Sequence, residues 1–188
     1  DYGAVDVKGR YLYYTAPDVN NGWHRLRRNL SDPNNPEFKG SIVTDRKMND
    51  VVVSGIYAYV LYQDDGSNPE QLQVVNIRNE PFTMCDSIKL RSDANGTQEG
   101  GFKLKVKGKY AYVADGYRGI KIIDISNPSS LEEVQYTNGL SGRIHSLDIN
   151  GNYVYTGEMY GKIGIIDITD PVQPVTIEAG VDVGDNIQ

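Results

Sequence analysis

One short pattern built around a glycine occurs four times along the 188-residue chain. In every copy the glycine begins a Gly-x-Tyr-x-Tyr segment, and the anchor glycines are Gly9, Gly55, Gly108 and Gly151. Successive anchors are therefore 46, 53 and 43 residues apart. Self-similarity at such a period means that the chain repeats one supersecondary unit, and that neighbouring units bury each other's apolar faces.

Each copy has the sequence pattern of four strands. Before the glycine, apolar and polar residues alternate, as in a strand with one buried face; the apolar positions are Val5/Val7, Val51/Val53, Leu104/Val106 and Leu147/Ile149. The glycine suits a tight hairpin, because it reaches positive φ at little cost. A Tyr-x-Tyr strand and a more continuously apolar strand follow, the latter ended by Asn-Pro or Asp-Pro in the later copies. An outer strand is predicted over residues 39–43, 84–89, 133–137 and 175–179.

These patterns predict an all-β fold, a β-propeller-like array of four four-stranded antiparallel blades. The array forms one domain over residues 1–188, with blades at approximately 1–46, 47–98, 99–141 and 142–188. Such spacing leaves no room for a helix longer than about one turn. Two arrangements stay open: the four blades close on themselves, or they form an open arc whose exposed end faces need caps or partners.

Composition excludes several classes of function. The net charge of −6 argues against nucleic-acid binding, which needs a basic surface, and the cluster Arg25, Arg27 and Arg28 is too short to supply one. No apolar run approaches the roughly 20 residues of a membrane-spanning helix. The single cysteine, Cys85, cannot form an internal disulfide. Because the chain begins at Asp1 rather than Met, we expect it to be processed or part of a longer protein.

The third and fourth copies carry the most specific motif. Residues 102–115 read Phe-Lys-Leu-Lys-Val-Lys-Gly-Lys-Tyr-Ala-Tyr-Val-Ala-Asp, and residues 119–128 read Gly-Ile-Lys-Ile-Ile-Asp-Ile-Ser-Asn-Pro. This pattern resembles the LVIVD repeat of bacterial and archaeal extracellular or surface-associated proteins. The resemblance is strongest over residues 102–171, weaker over 49–81 and weakest over 3–33, where residues 23–28 replace the usual aliphatic strand. It implies propeller architecture and a location outside the cell or at its surface.

Polar and aromatic residues at strand ends form the candidate ligand site. Asp115 and Glu158 occupy equivalent positions after the second strands of copies three and four, and His145 begins an inner strand beside Arg143. In a closed propeller these positions approach the mouth of the central channel. The predicted ligand-binding residues are Arg143, His145, Asp115, Glu158, Tyr117 and Tyr160. The alternatives are a charged rim and, for His145, a partly buried histidine with ordinary hydrogen bonds.

No residue set with the spacing of a metal or catalytic centre stands out. His24 and His145 lie in different copies without neighbouring ligands, so we predict no metal and no cofactor. Residues 64–68 fit a polar hairpin loop better than a calcium loop. Cys85 lies in a predicted outer strand with no histidine near it in sequence. The Asp or Asn that recurs once per copy, as in Asp124 and Asp167, is typical of a turn cap.

Two Asn-x-Ser/Thr triplets, at Asn29 and Asn95, are possible glycosylation sites. Because no catalytic set converges, we predict a non-enzymatic extracellular or cell-surface structural and interaction module. It binds a protein or glycan partner or self-assembles through exposed blade faces. The alternative hypothesis is a glycan-acting hydrolase or lyase with its site at the central channel, using Asp115 and Glu158.

Overall fold

The computed structural model describes residues 3–18, 22–29, 32, 34–44, 46–63, 69–90, 101–137 and 139–182. Over this part of the chain the secondary structure is almost entirely strand. Blade 1 contains β1 (Val5–Lys8), β2 (Tyr11–Asp18), β3 (Gly22–Asn29) and β4 (Glu37–Thr44). Blade 2 contains β5 (Met48–Ser54), β6 (Tyr57–Tyr62), β7 (Gln71–Asn76) and β8 (Thr83–Lys89).

The second half of the chain repeats this arrangement. Blade 3 contains β9 (Lys103–Lys107), β10 (Tyr110–Ala114), β11 (Ile120–Asp124) and β12 (Glu132–Thr137). Blade 4 contains β13 (Ile144–Asn150), β14 (Tyr153–Glu158), β15 (Lys162–Asp167) and β16 (Val175–Asp182). A 3-10 turn, Met159–Gly161, lies between β14 and β15. The predicted outer strands are all present as β4, β8, β12 and β16.

Every blade is a four-stranded antiparallel sheet whose strands pair in chain order. The register is the same in each second hairpin. Tyr110 pairs with Asp124 in blade 3 and Tyr153 with Asp167 in blade 4, as Tyr57 does with Asn76 in blade 2. The prediction of an all-β, propeller-like array of four-stranded blades is therefore confirmed.

The hairpin between the first two strands of each blade depends on its anchor glycine. The φ angles are 59° at Gly9, 60° at Gly55, 58° at Gly108 and 53° at Gly151. Among the described residues Tyr160 is the only non-glycine with a positive φ, so the second residue of each two-residue turn has a negative one. This combination is that of a type II′ turn, whose twist matches that of the strands.

A second repeated turn follows the third strand, and the recurring Asp or Asn closes it. The backbone N–H of Ser126 donates to Asp124 Oδ1 at 2.7 Å, and that of Thr169 to Asp167 Oδ1 at 2.7 Å. In blade 2 the N–H of Arg78 donates to Asn76 Oδ1 at 2.9 Å. The structural role predicted for this position is therefore confirmed in three blades.

The chain divides into two compact units, Asp1–Ser92 and Asp93–Gln188, each of two blades. In unit 1, Tyr13 of blade 1 belongs to the same buried cluster as Val51, Val53 and Val75 of blade 2. The carboxylate of Asp6 also accepts a hydrogen bond from the N–H of Val53 at 2.6 Å, which joins the two inner strands.

Unit 2 is built in the same way from blades 3 and 4. Its buried cluster joins Tyr112 and Ile122 of blade 3 to Leu147, Val154 and Ile166 of blade 4. Between the inner strands, the side chain of Lys107 donates to the carbonyl oxygen of Gly151, and Lys105 pairs with Asp148 at 3.0 Å. Both units therefore use one mode of blade-on-blade packing. In the described residues no helix is long and apolar enough to cross a membrane.

Candidate ligand-binding face

Three segments meet at one end of unit 2. They follow β10, begin β13 and follow β14, and backbone hydrogen bonds join them. The N–H of Ile144 donates to the carbonyl oxygen of Gly116 at 3.1 Å, and the N–H of Met159 donates to that of Arg143 at 2.9 Å. We call this surface, made by residues 115–118, 143–145 and 158–160 with Phe102 beside them, the strand-end face.

An aromatic and cationic stack forms one part of the strand-end face. The guanidinium carbon of Arg143 lies 4.8 Å from the ring centroid of Phe102, at the separation of a cation–π contact. The ring centroids of Phe102 and His145 are 4.7 Å apart. Phe102 and His145 are equivalent positions, six residues before their anchor glycines, so blade-on-blade packing brings them together. The stack holds the Arg143 head group in a fixed place.

Two exposed tyrosines form the other part. Tyr117 and Tyr160 are equivalent residues of blades 3 and 4, and they are 64% and 83% exposed. The hydroxyl of Tyr117 lies 3.9 Å from the sulfur of Met159. Tyr160 has φ of 64°, a left-handed conformation that is strained for a residue with a bulky side chain. The turn therefore projects an aromatic ring at a conformational cost that a glycine would avoid.

Asp115 precedes Tyr117 by two residues but is fully buried. Its Oδ1 pairs with Arg118 at 2.9 Å and its Oδ2 with Lys121 at 2.8 Å. Lys121 is itself almost completely buried within the apolar strand β11. Such a triad fixes the loop after β10 against the sheet, and it removes the Asp115 carboxylate from contact with any ligand.

Glu158 is also buried, at 7% exposure. One carboxylate oxygen lies 3.2 Å from the hydroxyl of Ser141, and the other lies 3.4 Å from that of Thr156. Gly164 provides the space, because a Cβ there would lie 2.7 Å from Glu158 Oε1. The Thr156 hydroxyl also accepts the N–H of Gly164 at 3.1 Å. Glu158 is therefore a buried hydrogen-bonded group rather than an open carboxylate.

These contacts occupy one repeated pair of positions in the sheet. The residue seven after the anchor glycine faces the third residue before the recurring Asp or Asn. In blade 2 this pair is Tyr62 and Gln73, whose side chains hydrogen-bond at 2.7 Å. In blade 3 it is Asp115 and Lys121, and in blade 4 it is Glu158 and Gly164. The longer carboxylate of blade 4 thus occupies space that the lysine takes in blade 3.

The strand-end face therefore contains all six predicted ligand-binding residues, but it divides them. Tyr117, Tyr160, Arg143 and His145 have surface available for contact, whereas both carboxylates are buried. Neither a charged rim at these two positions nor a partly buried His145 matches the structure, because the carboxylates are enclosed and His145 is exposed. Each buried carboxylate has one polar partner on its own sheet, Lys121 or Thr156, and one in a neighbouring loop, Arg118 or Ser141.

Sequence reasoning missed Lys121, Phe102 and Ser141. Lys121 carried a usable signal, because a lysine flanked by isoleucines in an apolar strand needs a buried carboxylate partner. Phe102 and His145 could have been paired from their equivalence in the repeat. Ser141 has no comparable signal, since its contact to Glu158 depends on the path of the loop before β13.

Several sequence predictions fall outside what the structure describes. The side chains of Asn29 and His24, and the whole of residues 64–68 and 91–100, including Asn95, lie outside the described residues. Cys85 lies in β8, as predicted, and is partly exposed. Within the described part of the chain no three His, Cys, Asp or Glu side chains are placed to share a metal ion.

The fold and the repeat together define an all-β protein made of antiparallel four-stranded blades. The LVIVD repeat family matches residues 45–77, 102–138 and 141–179, more than half of the chain. The chain therefore belongs to the LVIVD-repeat family. Blade 1 lies outside these matches, in agreement with the weaker resemblance of its sequence. A search of curated proteins finds no significant match.

Solved structures show the same fold at low sequence identity. The computationally designed Ika8 protein is similar with a TM-score of 0.68 at 15% identity, over 93% of this chain and 47% of that one. A functionally unknown protein from Desulfotomaculum acetoxidans DSM 771 gives 0.72 at 13%, over 95% and 55%. The designed Ika4 protein gives 0.62 at 13%, over 88% and 89%. The chain thus spans about half the length of the first two.

Proposed function

We propose that the chain is a non-enzymatic interaction module, acting outside the cell or at its surface, that binds a protein partner through the strand-end face. The observation that carries this proposal is the pair of exposed, equivalent tyrosines, Tyr117 and Tyr160, one of them in a strained turn. Strained backbone persists where function needs a side chain in a particular place. The extracellular location rests on the family resemblance alone.

The chemistry of the face favours a protein over other partners. Tyrosine and arginine are among the residues enriched at binding hot spots, and tyrosine offers a large contact area at a modest cost in side-chain entropy. Arg143 is already positioned by Phe102, so less freedom is lost when it binds. A glycan-acting enzyme has less support, since Asp115 and Glu158 would both have to leave buried polar partners to reach a substrate.

The test selects a phage-displayed random-peptide library on the purified chain and measures the binding of recovered peptides. We expect Tyr117→Ala with Tyr160→Ala to weaken binding by about tenfold or more. The matched control is Tyr136→Ala, which removes a comparably exposed tyrosine from β12. Peptides that bind all variants equally would contradict the proposal, and binding only to a glycan microarray would assign the face to a carbohydrate instead.

Tyr160→Gly separates function from stability. Glycine adopts a φ of about 60° without strain, so this variant should melt at the wild-type temperature or above it. It should nevertheless lose peptide affinity, because the aromatic ring is gone. A variant that loses both stability and affinity would mean that the Tyr160 ring has a structural role.

A further inference from the structure

Each blade has two different apolar faces, and two of these faces, one on blade 1 and one on blade 4, are exposed. The tyrosine face carries the second tyrosine of the Gly-x-Tyr-x-Tyr segment, which is Tyr13, Tyr59, Tyr112 or Tyr155. The aliphatic face carries the apolar residues two and four positions before the anchor glycine. In a two-sided sheet these positions point to opposite faces.

Within both units the tyrosine face of one blade packs on the aliphatic face of the next. Tyr112 and Ile122 of blade 3 are buried with Leu147 and Val154 of blade 4. Tyr13 of blade 1 is buried with the aliphatic face of blade 2. The contact is therefore heterologous, and in each unit it runs in one direction along the chain, from the first blade to the second.

Blade 4 exposes its tyrosine face. Tyr155 is 39% exposed, whereas the equivalent Tyr112 is 1% exposed. Ile163 and Ile165 are partly exposed although Ile120 and Ile122, their equivalents in blade 3, are fully buried. On the outer strand of the same sheet, Val175 is 60% exposed. An apolar surface of this kind is the type that marks a protein interface.

Blade 1 exposes the complementary surface. Val5 and Val7 of its aliphatic face are 60% and 52% exposed, whereas the equivalent Val51 and Val53 of blade 2 are 3% and 6% exposed. Blade 4 therefore carries an exposed tyrosine face, and blade 1 carries an exposed aliphatic face. Each is of the kind that is buried against the other inside both units.

We infer that a second copy of this chain covers these faces: the tyrosine face of blade 4 in one copy packs on the aliphatic face of blade 1 in the other. The contact repeats the packing of blade 3 on blade 4, with Tyr155 taking the place of Tyr112. A dimer contains this contact twice, because each copy contributes one tyrosine face and one aliphatic face. The chain covers 47% and 55% of two solved chains of the same fold, so two copies together have about the length of one such chain. This surface is separate from the strand-end face.

The first measurement is the mass of the purified chain in solution, by light scattering across a wide concentration range. We expect a concentration-dependent species of twice the 20.9 kDa chain mass. Tyr155→Glu and Val5→Glu should each weaken it by at least about thirtyfold, because each places a charge inside the contact. Tyr136→Glu is the matched control, since its side chain is exposed and belongs to neither end face.

Mixing the two variants tests the direction of the contact. Each retains the face that the other has lost, so a mixture contains one intact contact and should form mixed dimers that neither variant forms alone. A face-to-face dimer would instead be weakened by one substitution only, with no rescue on mixing. That result, or a monomer at every concentration, would overturn the inference. A monomer would indicate that further repeats of the same polypeptide cover the two faces.

Discussion

At the scale of single residues, the buried ion pair between Lys121 and Asp115 is the most demanding feature of the sequence. A lysine is rarely fully buried, and the charge of Lys121 is tolerable only because a carboxylate lies 2.8 Å away. Blade 4 has no lysine at the equivalent position, which is Gly164. Its buried carboxylate, Glu158, instead contacts the hydroxyl groups of Ser141 and Thr156.

Lys121→Met should therefore destabilise the chain by about 3 kcal/mol, because Asp115 then remains buried with one cation fewer. Asp115→Asn in the same chain should restore part of this loss, since the uncompensated charge is gone. Urea unfolding of the wild type, both single variants and the double variant gives the coupling free energy between the two side chains. Additive losses would show that the two side chains do not depend on each other.

At the scale of elements, the turn after the third strand explains why an Asp or Asn recurs in every copy. Hydrogen bonds from Thr169 hold the pKa of the Asp167 carboxyl below its ordinary value of 3.8. Burial raises the pKa of the Asp124 carboxyl, but hydrogen bonds from Ser126 outweigh it, so this pKa is lowered as well. Both turns therefore favour the ionised carboxylate.

A carboxyl with a lowered pKa in the folded state stabilises the fold above its unfolded pKa, and this contribution is lost as the pH falls through the folded value. Asp124→Asn with Asp167→Asn should preserve stability at pH 7, because Asn76 closes the same turn in blade 2. The double variant should also lose less stability in acid than the wild type. Thermal unfolding measured from neutral to acid pH tests this, and identical acid profiles would contradict it.

The elements were predictable from the sequence because their causes are local. Gly108 sets a hairpin, and Asp124 closes a turn two residues away, so a repeated pattern fixes strand order and approximate bounds. The strand-end face was only partly predictable. The positions of Asp115 and Glu158 follow from the repeat, but their burial depends on Lys121, Ser141 and Gly164, which are brought close by packing.

At the scale of the whole molecule, the tyrosine faces link protonation to global stability. Burial raises the pKa of Tyr112 to about 12, with a smaller contribution from Tyr110, and burial likewise raises that of Tyr59 to about 12. Both are phenols whose ordinary value is 10.0, so the folded state binds their protons more tightly than the unfolded chain does.

The contribution of these two phenols to stability should therefore be fully present below pH 10 and fall as the pH rises towards 12. Each of the two phenols contributes up to roughly 2–3 kcal/mol, from a shift of about two pKa units. Tyr112→Phe should reduce this alkaline loss while leaving the fold intact at neutral pH. Guanidinium unfolding at several pH values from 8 to 12 provides the measurement, and a variant with the wild-type slope would contradict the assignment.

The direction of blade-on-blade packing also has a consequence for synthesis. Blade 1 is synthesised before blade 2. The ring of Tyr13 therefore stays exposed until the next 46 residues, one repeat of the sequence, have left the ribosome. At roughly 5–20 residues per second this delay is about two to nine seconds. Tyr112 stays exposed for a similar time, until blade 4 has been synthesised. Chaperones that bind nascent chains therefore have one such interval in each unit in which to act.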